Sequence, residues 1–151
     1  MTLAEATIAY AKSQVGVQEH PRGSNAGPEV ERYLAYVNLA PGKAWCAAFV
    51  SYCVGTSASD LSTTTTLKPS GGALALYFKN HPLAIDQPEP NCIGVIDHGK
   101  GLGHAFFVES VQDSTCHTIE GNADPAGGRE GYMVAERDRH TADITYFLRI
   151  R

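Results

Sequence analysis

AWCAAFVSYCVG, Ala44 to Gly55, follows a loop that ends at Gly42, and its apolar residues recur at helical spacing: Cys46, Phe49, Val50, Cys53 and Val54. The spacing predicts a helix that starts at about Cys46 and that Gly55 stops. Cys46 then lies in the first turn, where unpaired backbone N–H groups and the positive end of the helix dipole favour a thiolate. A histidine partner would lower its pKa further from the free value of about 8.5. The same position also suits a small buried cysteine on a core helix, so its partners decide between the two readings.

Upstream, Leu3 to Val15 reads as an amphipathic helix with Thr2 and Glu5 in capping-box spacing and Gly16 as its stop. Val17 to Gly27 is a loop punctuated by Pro21, Gly23 and Asn25. Pro28 and the acidic Glu29 and Glu31 open a second helix that runs to about Val37 and buries Val30, Leu34 and Val37. The Asn38–Lys43 loop then delivers the chain to Cys46. Downstream, residues 56–69 are polar and turn-rich, and Ser70 caps a fourth helix from about Gly72 to Asn80, ended by His81-Pro82.

After Asn91 the period changes from helical to extended. Cys92–Asp97, His104–Val111, Thr115–Glu120, Tyr132–Glu136 and Ile144–Ile150 read as strands, with a hairpin loop at Asp97–Gly103 and a tighter one at Gln112–Ser114. Helices first and an antiparallel sheet second is an α+β order. With no internal repeat and no long linker, residues 1–151 form one domain, its N-terminal helices packed on a C-terminal antiparallel β-sheet of about five strands.

A net charge of −4 argues against nucleic acid as the main ligand, and the small cluster Arg137-Asp138-Arg139-His140 does not change that. No apolar run is long enough to span a bilayer, and Met1–Glu5 lacks the basic and apolar regions of a secretory signal, so the chain is expected to be made in the cytoplasm. The four cysteines show neither a CxxC pair nor zinc spacing. Cys46 and Cys53 stand two helical turns apart, too far for a disulfide; Cys92 and Cys116 could meet across two strands, and a reduced state fits the count equally well.

A thiolate nucleophile needs a base within hydrogen-bond reach, and the base needs a third group to orient it. Among the six histidines, His20, His81 and His140 lie in loops or charged surroundings. His104 instead follows Gly101-Leu102-Gly103 and opens the apolar strand Ala105-Phe106-Phe107-Val108. The next strand, Thr115 to Glu120, ends in Gly121-Asn122, so a hairpin can bring Glu120 or Asn122 beside the imidazole to accept its Nδ1–H. A metal site using Cys46, His104 and Glu120 is the rival reading, weakened by the absence of short ligand spacing.

Trp45-Cys46-Ala47-Ala48-Phe49-Val50, Gly103-His104 and Glu120-Gly121-Asn122, in this order, resemble the CHAP family of cysteine, histidine-dependent amidohydrolases and peptidases, relatives of the NlpC-type peptidases within the papain-like group. Gly16-Val17-Gln18-Glu19, with Ser24-Asn25 and a helix to Tyr33-Leu34, resembles one branch of it. The resemblance implies a papain-like fold, with Cys46 as nucleophile, His104 as general base and acid, and Glu120 as its orienting group. Asn122 would share that role or line the cleft, and Trp45, Asn25, Gly103 and Gly121 would border the substrate. It also implies hydrolysis of an amide bond in peptidoglycan, as an amidase or an endopeptidase, by a monomer needing no cofactor. A phage endolysin released by a holin, or a secreted antibacterial effector with an immunity protein as partner, would fit; a catalytically inactive domain of the same fold is the alternative. The family's usual Gly-Asp pair before the first strand is replaced by Cys92-Ile93-Gly94-Val95, the calcium loop of some phage members is absent, and Phe106-Phe107 stand where smaller residues are usual. No metal is therefore expected.

Overall fold

The structure, a computed structural model, describes residues 1–128 and 131–151. Helix α1 spans Leu3–Ser13, and the capping box forms as expected: Glu5 N–H donates to Thr2 Oγ1 at 3.1 Å and Thr2 N–H to Glu5 Oε2 at 2.8 Å. The helix stops before Val15, which is exposed, because Gly16 turns with φ +100° and its N–H binds the Val134 carbonyl at 2.9 Å. Helix α2 covers Pro28–Tyr36 and buries Val30, Tyr33 and Leu34.

Helix α3 runs from Cys46 to Asp60, past the stop expected at Gly55. Gly55 serves packing instead: a Cβ there would lie 1.8 Å from Tyr36 Oη, so the glycine admits the Tyr36 ring against the helix. The first six residues of α3, Cys46 to Ser51, are all buried, which marks a central helix enclosed on every side. Helix α4, Ala73–Lys79, is preceded by Gly72 rather than capped by Ser70, whose hydroxyl accepts the Gly72 N–H at 3.2 Å. Asn80 then ties the helix end down, donating to the Leu76 and Lys68 carbonyls and accepting from Lys68 N–H.

Six antiparallel strands form one sheet: β1 Ala84–Ile85, β2 Cys92–Gly99, β3 Leu102–Gln112, β4 Thr115–Ala123, β5 Met133–His140 and β6 Tyr146–Arg149, in the order β1-β6-β2-β3-β4-β5. The unanticipated strand is β1, too short at two residues to carry a period. The β2–β3 hairpin is tighter than the expected loop, with Gly99 opposite Leu102 and both Lys100 (φ 57°) and Gly101 (φ 79°) left-handed, as a two-residue hairpin turn demands. Strand β5 extends to His140, because a strand with one polar face continues through charged residues.

Both faces of this sheet are covered. On one, Phe107, Ile119 and Val134 join Phe49, Trp45 and Tyr33 in the core beneath the helices; on the other, Phe106, Val108, Cys92, Cys116 and Phe147 form a second cluster. Strand alternation thus accounts for the adjacent phenylalanines, each buried on its own face. All four cysteines are free thiols.

Helix α3 approaches the sheet closely over Gly121, where a Cβ would come within 2.7 Å of Phe49 Cβ. Phe49 is fully buried and its Cβ cannot swing aside. Gly121→Ala is therefore expected to cost about 1–3 kcal/mol by overpacking, read as a lowered urea midpoint. The same substitution would lift the Cys46 end of α3 from the strands, so activity should fall more than the folded fraction. Unchanged stability would mean that α3 does not rest on Gly121.

Candidate active site

Cys46 is set at the start of α3 by contacts beneath it. Trp45 precedes it, fully buried, and its indole Nε1–H donates to Glu19 Oε2 at 2.8 Å. Glu19, itself buried, accepts the Gly23 N–H through its other oxygen at 2.8 Å. A buried carboxylate with both oxygens engaged thus stitches the Val17–Gly27 loop to the helix start. Trp45, expected to wall the cleft, faces the core instead, stacked on Tyr33 at a centroid distance of 5.8 Å. Glu19 was legible only as part of a motif; its spacing from Trp45 gave no sign of the bond.

His104 stands opposite Ile96 near the mouth of the β2–β3 hairpin. Its Nε2 lies 2.8 Å from Glu120 Oε1. The orienting bond was expected at Nδ1; with Nε2 engaged, Nδ1 is the nitrogen left for the thiol. Of the two candidate partners, the carboxylate of Glu120 makes the bond. Asn122 lines the same cleft within the register shift between Glu120 and Ala123 of β4, its backbone left-handed at φ 55°.

Glu120 is fully buried and its oxygens are saturated. Arg139 grips them with two bonds, Nε–H to Oε2 at 2.6 Å and Nη2–H to Oε1 at 2.8 Å, and Thr118 Oγ1 donates to Oε2 at 2.6 Å. Arg139 is the partner of Glu120 that the charged Arg137–His140 stretch concealed. Cys116, Thr118 and Glu120 pair in register with Arg139, Arg137 and Ala135, so the alternation of β5 turns Arg137 and Arg139 towards the Thr118–Glu120 face.

The charges of the site are coupled. Burial opposes ionisation of Cys46, yet the hydrogen bond and charge of His104, with the Ala105 and Ala47 backbone N–H groups, outweigh it and lower the thiol pKa. Burial also opposes the imidazolium, but bonds to Cys46 and then Glu120 hold His104 up at about 9. For Glu120, burial acts upward and is overcome first by Arg139 and then by His104, which keep it far below the usual carboxylate range. The arrangement favours a thiolate–imidazolium pair, the reactive form of a cysteine nucleophile.

Because His104 is raised above its ordinary value of 6.5, its contribution to stability is complete below about pH 6.5 and is lost as pH rises through about 9. The kcat/KM profile should accordingly fall on its alkaline side with an apparent pKa near 9, as the imidazolium loses its proton. Glu120→Gln should move that limb to lower pH, since the ring then loses its anionic partner. An alkaline limb left in place by this substitution would remove Glu120 from the orienting role.

The remaining expected residues divide. Gly103 borders the cleft, and a Cβ on it would meet Leu74 of α4 at 2.9 Å. Gly121 lies under Phe49 rather than in the cleft. Asn25 is outside it too: its backbone carbonyl accepts the Gly42 N–H at 2.9 Å, bracing the loop before Cys46. Ala44, Cys46, His104, Glu120 and Asn122 all line one cleft of about 410 Å³.

Among the described residues, one group of side chains, Glu109, His117 and Glu136, has a metal-like ligand set, away from this cleft. Lys12 Nζ lies 2.6 Å from Glu109 and 3.9 Å from Glu136, so an ammonium already compensates the carboxylates. His117 is held between Asp138 at 2.7 Å and Glu136 at 3.1 Å, completing an ion network on the sheet surface.

No match was found among curated proteins. Among solved structures, the chain is similar to one described as "The crystal structure of Ly7917", with a TM-score of 0.56 and 17% identity over 97% of this chain. The present chain spans 62% of that one, and at this identity the likeness concerns the fold. A family model, "CHAP domain", matches residues 38–122. That segment carries Cys46, His104 and Glu120, and it covers more than half of the sequence. The chain belongs to the CHAP domain family.

Proposed function

We propose that this protein is a thiol hydrolase of peptidoglycan that cleaves an amide bond of the stem peptide, either its junction with muramic acid or a bond within the stem or cross-bridge. Family membership supports amidase or peptidase action on cell wall in general. The observation that carries the reading here is the hydrogen-bonded series Arg139–Glu120–His104, which lines one open cleft with the Cys46 thiol. An inactive domain of the same fold would have no use for a buried carboxylate held ionised behind a histidine.

In the reaction, Cys46 Sγ attacks the amide carbonyl carbon, and the developing oxyanion accepts from the Cys46 backbone N–H, one of the unpaired donors at the start of α3. His104 gives its proton to the departing amine as the C–N bond breaks, leaving a thioester. It then takes a proton from water, which attacks the thioester carbonyl and releases Cys46. Asn122 borders the cleft as a polar contact for the substrate. We place the enzyme in one of two settings: lysis from within by a phage, after a holin opens the membrane, or delivery into a competitor by a secretion machine. The second requires an immunity protein that covers this cleft in the producing cell.

Digestion of purified peptidoglycan with mass analysis of the products tests the activity and identifies the bond. A new amine and carboxyl pair in the stem is the expected result. Intact muropeptides after prolonged incubation would overturn the reading.

A further inference from the structure

The cleft extends beyond the catalytic residues to Ala123, Asp124, Gly127, Gly128, Arg137 and Arg139. Among the described residues it has two carboxylates. Glu120 is held by His104, Thr118 and Arg139. Asp124 is turned into its own loop, with Oδ1 accepting the Ala126 N–H at 2.9 Å and its backbone carbonyl accepting the Gly127 N–H at 2.9 Å. Of the two arginines among its described residues, Arg139 is engaged by Glu120. Arg137 lines the cleft, half-buried, and makes no ion pair with a carboxylate among the described residues.

The backbone sets where Arg137 stands. It pairs with Thr118 across β4 and β5, and Gly127, left-handed at φ +87°, brings the loop to its guanidinium; a Cβ there would be 3.7 Å from Arg137 Nη2. Two residues apart on one strand face, Arg137 and Arg139 stand roughly 7 Å from each other. A guanidinium is a planar fork that reads a carboxylate through two parallel bonds, and it keeps its charge at any working pH. A half-desolvated fork in the same cleft as Cys46, in a protein of net charge −4, is not general attraction for polyanions.

We infer that Arg137 is a specificity-determining residue that binds a free carboxylate on the substrate peptide, near the scissile amide. This rests on the proposed hydrolysis of peptidoglycan and names the stem it takes: one whose side carboxylate is free rather than converted to a carboxamide. A carboxamide presents an N–H₂ group to a donor-only fork and cannot replace the paired contact.

The test compares kcat/KM on two purified muropeptides that differ only in that carboxylate or carboxamide, for the native enzyme, Arg137→Gln and Arg137→Lys. The native enzyme should prefer the free acid by about tenfold to a hundredfold, the range of one charge-assisted interaction. Arg137→Gln should abolish the preference by slowing the acid alone, and Arg137→Lys should keep part of it. Each ratio is taken within one protein, so a partly folded variant does not distort it. Hydrolysis of both substrates without preference by the native enzyme, or the same preference in Arg137→Gln, overturns this assignment and leaves the hydrolase reading standing. Hydrolysis of neither by the native enzyme overturns both.

Discussion

Cys46→Ala should reduce hydrolysis by about 10⁴-fold or more, because a nucleophile and its base act as one unit and the loss of either removes most of the rate enhancement. The substitution deletes one buried sulfur from a helix held by Phe49, Val50 and Trp45, so the protein should still fold, at a cost of about 1 kcal/mol. It should leave a second signature. Cys46 is the larger of the two influences that raise His104, so the imidazole pKa, followed by NMR, should fall from about 9 in the variant. Lysis at the native rate by Cys46→Ala would end the thiol mechanism. An unmoved His104 titration would mean that the ring and the thiol do not interact.

The second large effect is expected at a residue that touches no substrate. Glu120 is fully buried, and Arg139 supplies two of the bonds that hold its charge. Arg139→Met would leave a carboxylate in the interior with only His104 and Thr118 to compensate it. Removing one partner of a buried pair costs roughly 3–5 kcal/mol, which for a chain of this size lowers Tm by on the order of 10 °C.

The pH dependence gives the sign. A depressed carboxylate pKa contributes stability that is present above its ordinary value of 4.5 and lost as pH falls below it. The native protein should therefore lose more stability than Arg139→Met on acidification below about pH 4.5, and the gap between them should narrow. Adding Glu120→Gln to Arg139→Met should recover part of the lost stability, since no buried charge then remains. Equal melting of native protein and Arg139→Met at pH 7 would show that Glu120 does not need its guanidinium.

Cys46, His104 and Glu120 were legible from the punctuation around them. Cys46 follows a loop into an apolar helix, His104 follows Gly101-Leu102-Gly103 into a buried run, and Glu120 precedes a Gly-Asn pair. Their positions follow from period and punctuation, and so does the helix-then-sheet order. What period does not carry is pairing across the sheet. Arg139 sits in a run of charges that reads as solvated surface, and only the register of β4 against β5 puts it on the face of Glu120. The Trp45–Glu19 bond joins residues far apart in the chain, which no local spacing reports. Gly55 departs from expectation for a related reason: a glycine that ends a helix and one that admits a neighbouring ring look alike until Tyr36 is placed beside it.

The sheet order carries a consequence for how this protein comes to life on the ribosome. Strands β2 to β5 are successive neighbours, so His104, Glu120 and Arg139 can be brought together by simple hairpins as the chain emerges. One edge of β2 has no such local partner: it waits for β6, which slots between it and β1 only after every other strand has been made. Until Tyr146–Arg149 arrives, that apolar edge is open to pairing with other chains. The thiol, more than fifty residues upstream of His104 in sequence, meets it only when α3 docks on the sheet. The pairing that joins Arg139, Glu120 and His104 is thus local in the chain, whereas the contact that brings Cys46 to them is long-range and depends on the packing of α3 against β3 and β4.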